Sequence, residues 1–137
     1  MPITMFYAGA LALVYLALSV RVIQGRGKGG PNLGDGGNPE MLRRIRGHGN
    51  FQEYVPLLLI LMALLERRGL NGVVLHAMGM TLLVARILHG YALSYTEKFF
   101  LGRFVGTAAT LLLLGVGGIL CIVYALRAFS AVGLMAG

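Results

Sequence analysis

Read for hydrophobic and polar positions alone, the chain is a series of four long apolar runs separated by short polar or glycine-rich stretches. The first run, from about Ile3 to Gln24, contains no acidic residue and predicts a helix over 3–24. Residues 25–37 are too rich in glycine for regular structure and suit a flexible connection. Asn38-Pro39-Glu40 then supplies a capping side chain, a proline at the first helical position and an acid in the first turn, so a second helix is predicted over 39–68. At 1.5 Å per residue it would be roughly 45 Å long, more than the ~30 Å hydrocarbon core of a bilayer, and its first turns should project into the interface. Pro56 leaves the Gln52 carbonyl without its helical donor, and a kink is expected there. Gly69-Leu70-Asn71-Gly72 makes a short turn into a third helix over 73–94. Thr96-Glu97-Lys98 leads to a fourth over 100–128, where Gly106, Ala108, Ala109, Gly115, Gly117 and Gly118 suit close helix packing.

Composition turns these helices into membrane spans. Of 137 residues, 57% are apolar and only 12% are charged, with a mean hydropathy of +0.77. One domain over residues 1–137 is expected, an all-α membrane protein built as a bundle of four transmembrane helices. Residues 1–20 lack the basic start and cleavage pattern of a secretory signal and are read as a retained span. The net charge of +7 is not a nucleic-acid footprint. Arg21, Arg26, Lys28, Arg43, Arg44 and Arg46 surround the first connection, and Lys98 and Arg103 the third, which places both on the cytoplasmic side and both termini on the other. Arg43 and Arg44 are expected at headgroup level, in reach of lipid phosphates. Lys28 is followed by Gly29 rather than Ser or Thr, so no phosphate loop is formed. Cys121, a lone thiol in an apolar run, is a packing residue.

The second helix carries the candidate chemistry. At about 100° per residue, Arg43, Arg46, Asn50, Glu53 and Tyr54 fall on one face, within roughly 100° of one another. Ionisable groups near membrane depth are costly and face a wet cavity or the protein interior, which makes this face a candidate functional site. Arg86 on the third helix also needs an anion or a polar cavity, and Glu53 is the expected partner. Tyr91 and Tyr95 are four apart and share a face, as an interfacial aromatic belt or as part of a site. The histidines His48, His76 and His89 are scattered, and no metal site is predicted; no serine sits in a hydrolase elbow. What remains is a mixed-charge cavity open to the cytoplasm and to lipid, suited to a small zwitterionic ligand that meets an oily one.

The run Arg46-Gly-His-Gly-Asn50-Phe-Gln-Glu53-Tyr54-Val-Pro56 resembles the signature of the membrane-associated proteins in eicosanoid and glutathione metabolism, and among them the bacterial relatives of microsomal glutathione transferase. The basic first loop and the pairs Ala85-Arg86 and Gly90-Tyr91 extend the resemblance over essentially the whole chain. It implies a homotrimer of four-helix subunits with glutathione bound between neighbours. It implies, too, that Arg46 holds a glutathione carboxylate, Asn50 hydrogen-bonds its backbone, Glu53 holds its ammonium and Tyr54 lines the site. Arg26 matches a first-loop arginine that reaches the ligand, although Gly27 stands where a second arginine often follows, and His48 replaces a frequent glutamine. Arg86, Tyr91 and Tyr95 join the binding set. The thiol-activating cation aligns with Lys98 if Gly90-Tyr91 is matched, and falls within one residue of Arg103 if Tyr91 and Tyr95 are matched as a pair; Arg103, at the start of an apolar run, is the favoured one. The implied activity is conjugation of glutathione to lipophilic electrophiles, with lipid hydroperoxide reduction beside it, in a bacterial inner membrane. Its partners are glutathione, an oily substrate, membrane lipid and two further copies of the chain. The rivals are a non-catalytic lipid-binding or scaffold protein of the same fold and a drug–proton antiporter. The antiporter would want an acid in the first helix, which has none.

Overall fold

The computed structural model describes residues 1–27, 29–96 and 99–135, with the side chains of 131–135 left aside. The described chain consists of four α-helices, α1 (Pro2–Gly27), α2 (Pro39–Arg67), α3 (Gly72–Ser94) and α4 (Phe100–Met135). By length and composition α1, α3 and residues 100–130 of α4 are able to cross a membrane. The polar first half of α2, with Glu40, Arg43, Arg44, Arg46, Asn50 and Glu53, keeps it out of that class.

Each helix end has a local chemical cause. Asn38 caps α2 by accepting the N–H groups of Glu40 and Met41 at 2.9 and 3.2 Å, and Asn71 caps α3 by accepting that of Val73 at 2.8 Å, satisfying donors that the first turn leaves free. At the far end of α2, Gly69 takes a positive φ of 80° and Leu70 N–H returns to the Leu65 carbonyl at 3.0 Å, a glycine-terminated helix stop. α1 has no acid in its own first turn. Its free amides are met instead by Glu66, whose carboxylate accepts the N–H groups of Ile3 and Thr4 at 3.0 and 2.8 Å. α2 continues as a helix through Pro56.

α1 packs on α2 and α3, α4 packs on α3 and α2, and the described residues of α1 and α4 make no contact with each other. The core is apolar, with Tyr7 and Leu11 of α1, Leu58 and Met62 of α2, and Leu75 and Leu82 of α3 nearly inaccessible. Because lipid tails are as apolar as leucine, helices in a bilayer gain from close van der Waals contact more than from burial itself. Two glycines make that contact possible. A Cβ at Gly79 would stand 2.2 Å from the Tyr7 ring, and one at Gly106 would stand 2.6 Å from the Ala85 carbonyl oxygen and 2.9 Å from His89 Cβ.

At the start of α2, Arg44 points into the subunit rather than toward lipid headgroups, which corrects the sequence expectation. It is 8% exposed, donates to the Arg21 carbonyl at 3.0 Å and pairs with Glu40 one turn back. That hydrogen bond holds the Glu40 carboxyl below its usual pKa.

Candidate functional site

Spacings of three and four residues bring Arg43, Arg46 and Asn50 onto one face of α2. Opposite them stands the first turn of α4. Between the two is a cleft of about 310 Å³ lined by Leu42, Arg43, Arg46, Asn50, Leu93 and Arg103. Arg46 and Arg103 are exposed in the single subunit and Asn50 is half-buried. The Arg103 guanidinium lies 5.9 Å from the centre of the Phe100 ring, so one wall of the cleft is continuous with the exposed apolar side chains Phe100, Leu101 and Phe104. The arrangement offers guanidinium and amide donors beside an oily surface, which suits carboxylate recognition next to a lipophilic reactant.

Behind the cleft lies Arg86, 1% exposed. Sequence reasoning paired it with Glu53, and the structure corrects this. Arg86 Nη1 donates to Asn50 Oδ1 at 2.8 Å, Nη2 donates to the Gly106 carbonyl at 2.8 Å and also to the Thr110 hydroxyl. All three acceptors are neutral. The rotation of α3 aims residue 86 between α2 and α4, whereas Glu53 sits on the outer side of α2 and is exposed, with Tyr54 half-buried beside it. Thr110 was not singled out from the sequence, and Gly106 only as a small residue for helix packing. The available signal was their spacing, since Arg103, Gly106 and Thr110 follow one another at three and four residues along one face of α4.

Other expected site residues lie elsewhere. Arg26 donates to the Pro31 and Asn32 carbonyls at 2.8 and 3.0 Å, closing the glycine-rich connection on itself. Tyr91 and Tyr95 are exposed and stacked, with ring centres 5.6 Å apart. Tyr95 lies under Arg21, whose guanidinium is 4.3 Å from the ring centre and donates to the Ser94 carbonyl at 2.8 Å. Together with Gln24 and apolar residues of α1, Arg21 and Tyr95 border an outward-facing groove of about 470 Å³. Lys98, the alternative activating cation, lies outside the described residues. His48 stacks on Tyr15 at 4.7 Å, Tyr15 bonds Gln52, and the Tyr7 hydroxyl meets His76 Nδ1 at 3.2 Å. Among the described residues no group of three His, Cys, Asp or Glu side chains is placed to hold a metal.

The fold and the cleft define a multi-helix integral membrane protein with a cationic, amide-containing recess beside an apolar wall. Residues 4–123 match the model of the MAPEG family, and the chain belongs to that family. The inner membrane protein YecN of Escherichia coli (strain K12) is 33% identical over 108 residues, which cover 79% of this chain and 81% of that relative. The protein of the same name from E. coli O6:H1 (strain CFT073) matches to the same extent.

Proposed function

We propose that the protein is a membrane-bound glutathione transferase that joins the glutathione thiol to lipophilic electrophiles, with lipid hydroperoxide reduction as a related activity. The observation that carries this is the meeting of Arg103 from α4 with Arg46 and Asn50 from α2 in one cleft. Glutathione presents two carboxylates, a thiol and an ammonium. Arg46 and Asn50 take a carboxylate and the peptide backbone, Glu53 takes the ammonium, and Tyr54 lines the site. A cation beside a poorly hydrated thiol lowers its pKa from about 8.5 and raises the thiolate fraction at neutral pH. Arg103 fills that role, because its charge persists at every relevant pH.

α2 is the fourth span of this reading, with its polar face covered by a neighbouring subunit in a homotrimer. Exposure of Arg46 and Glu53 on the single chain supports a site completed between subunits, since such groups do not face lipid. The basic first and third connections are cytoplasmic in this reading, and the membrane is a bacterial inner membrane, in keeping with the name of the relatives above.

The apolar groove of about 500 Å³ between α1 and α2, lined by Leu11, Tyr15, Phe51 and Pro56 among others, favours a second reading, a non-catalytic lipid-binding protein of the same fold. One experiment separates the two: turnover of a chloronitrobenzene by the purified protein with and without glutathione. A glutathione-dependent product is expected, and a rate no higher than that of buffer leaves the lipid-binding reading in its place.

A further inference from the structure

The back wall of the cleft fixes which atom of Asn50 a ligand meets. A guanidinium carries donors only, so the Asn50 atom 2.8 Å from Arg86 Nη1 has to be the amide oxygen. Arg86 is itself held from the opposite side. Its Nη2 reaches the Gly106 carbonyl and the Thr110 hydroxyl, and the Thr110 proton is directed to the same carbonyl at 2.7 Å. A planar fork spanning acceptors on two helices is a task for arginine that the point charge of lysine performs only in part. α4 comes close enough to serve as that anchor because residue 106 has no Cβ.

We infer that Arg86 is a positioning residue of the cleft: by occupying the Asn50 amide oxygen it turns the amide nitrogen toward the ligand, so that every polar side chain lining the cleft is a donor. The polar lining is Arg43, Arg46, Asn50 and Arg103, and arginine has no acceptor to offer. An unrestrained asparagine would present either end. With its oxygen committed, the cleft selects an acceptor oxygen, a carboxylate or a peptide carbonyl, and rejects an ammonium. This rests on the reading of the cleft as the glutathione site and adds to it the orientation of the ligand: the ammonium end lies away from Asn50.

The test uses the full-length protein in detergent, labelled with ¹⁵N at asparagine, with the Asn50 side-chain signal identified by its loss in Asn50→Asp. Without ligand, the Asn50 amide resonances should shift in Arg86→Leu, which removes the donor, and stay closer to wild type in Arg86→Lys, which keeps one. Identical resonances in all three proteins overturn the inference whether or not glutathione binds. With glutathione and a chloronitrobenzene, Arg86→Leu should raise the glutathione KM by about tenfold while kcat changes by less than about twofold, and Arg86→Lys should recover part of the loss. Asn50→Asp should raise KM at least as much, because an oxygen then faces the ligand oxygen. It places a carboxylate against a buried guanidinium, so it is expected to fold even if Arg86→Leu does not. A wild-type KM in Asn50→Asp overturns the donor-only cleft. Lack of glutathione dependence in the wild-type protein overturns the proposed activity instead, and the ligand-free resonances still decide the role of Arg86.

Discussion

Arg46 and Glu53 are the residues on which charge recognition should depend. In the proposed glutathione site each faces a ligand charge. Arg46→Ala or Glu53→Gln is expected to weaken glutathione binding by about 1.5–3 kcal/mol, the usual worth of a hydrogen bond to a charged group; calorimetric titration checks it, and wild-type affinity in both variants contradicts the assignment. Arg103→Ala should leave glutathione bound and move the midpoint of thiolate absorbance to higher pH, since loss of the cation removes what favours the thiolate. The α2 side of the cleft was legible in the sequence, because helical spacing alone sets Arg43, Arg46 and Asn50 on one face. The partner of Arg86 was not. Which acceptor a buried arginine finds depends on how α3 is rotated against α2 and α4, and the periodicity of a single helix carries no record of its neighbour. Asn50 and Glu53 are three positions apart, yet one turns inward to Arg86 and the other stays exposed.

Helix boundaries were readable where their cause is local. Asn38-Pro39-Glu40 starts α2 at the expected place because cap, proline and acid act within one turn. α1 instead begins under a carboxylate more than sixty positions away, which no short window reveals, and it extends to Gly27, as α4 extends to Met135, beyond the ends at Gln24 and Ala128 that apolar content suggested. Contact between elements gives a paired prediction. Gly79→Ala drives a methyl into the Tyr7 ring and should destabilise the α1–α3 contact by about 1–3 kcal/mol, as overpacking does. Gly9→Ala on α1, where a Cβ meets nothing within 4 Å, should stabilise its helix by about 0.5–1 kcal/mol. Thermal unfolding in one detergent compares the two. The start of α2 carries a pH signature. The folded Glu40 carboxyl is held below its ordinary pKa, chiefly by its hydrogen bond to Arg44. Its stabilisation is therefore complete above the ordinary carboxylate value of about 4.3 and fades as pH falls through the lower folded value. Between about pH 6 and pH 3 the melting temperature of wild type should fall more than that of Glu40→Gln, and parallel curves would show that the pair contributes nothing.

For the whole molecule, the arrangement of the helices decides what must surround it. Polar groups exposed on α2 and smooth apolar surfaces on α1 and α4 predict a trimer with α2 toward the centre, and mass measurement in mild detergent should give three chains, with an active monomer as the contrary result. The sequence displayed those faces, but which surface covers them is not written in a single chain's periodicity. The apolar surface of Phe100, Leu101 and Phe104 that adjoins the cleft beside Arg103 extends this to the kinetics. Under the proposed transferase activity, an oily acceptor arriving along that surface comes from the hydrocarbon phase, into which it partitions strongly, while glutathione comes from water. The two reactants are then counted on different scales, one as a mole fraction in the micelle or bilayer and the other as a bulk concentration. Adding empty micelles at constant total acceptor should slow conjugation by surface dilution and leave the half-saturating glutathione concentration unchanged; a rate indifferent to micelle content would mean that both substrates enter from the aqueous side.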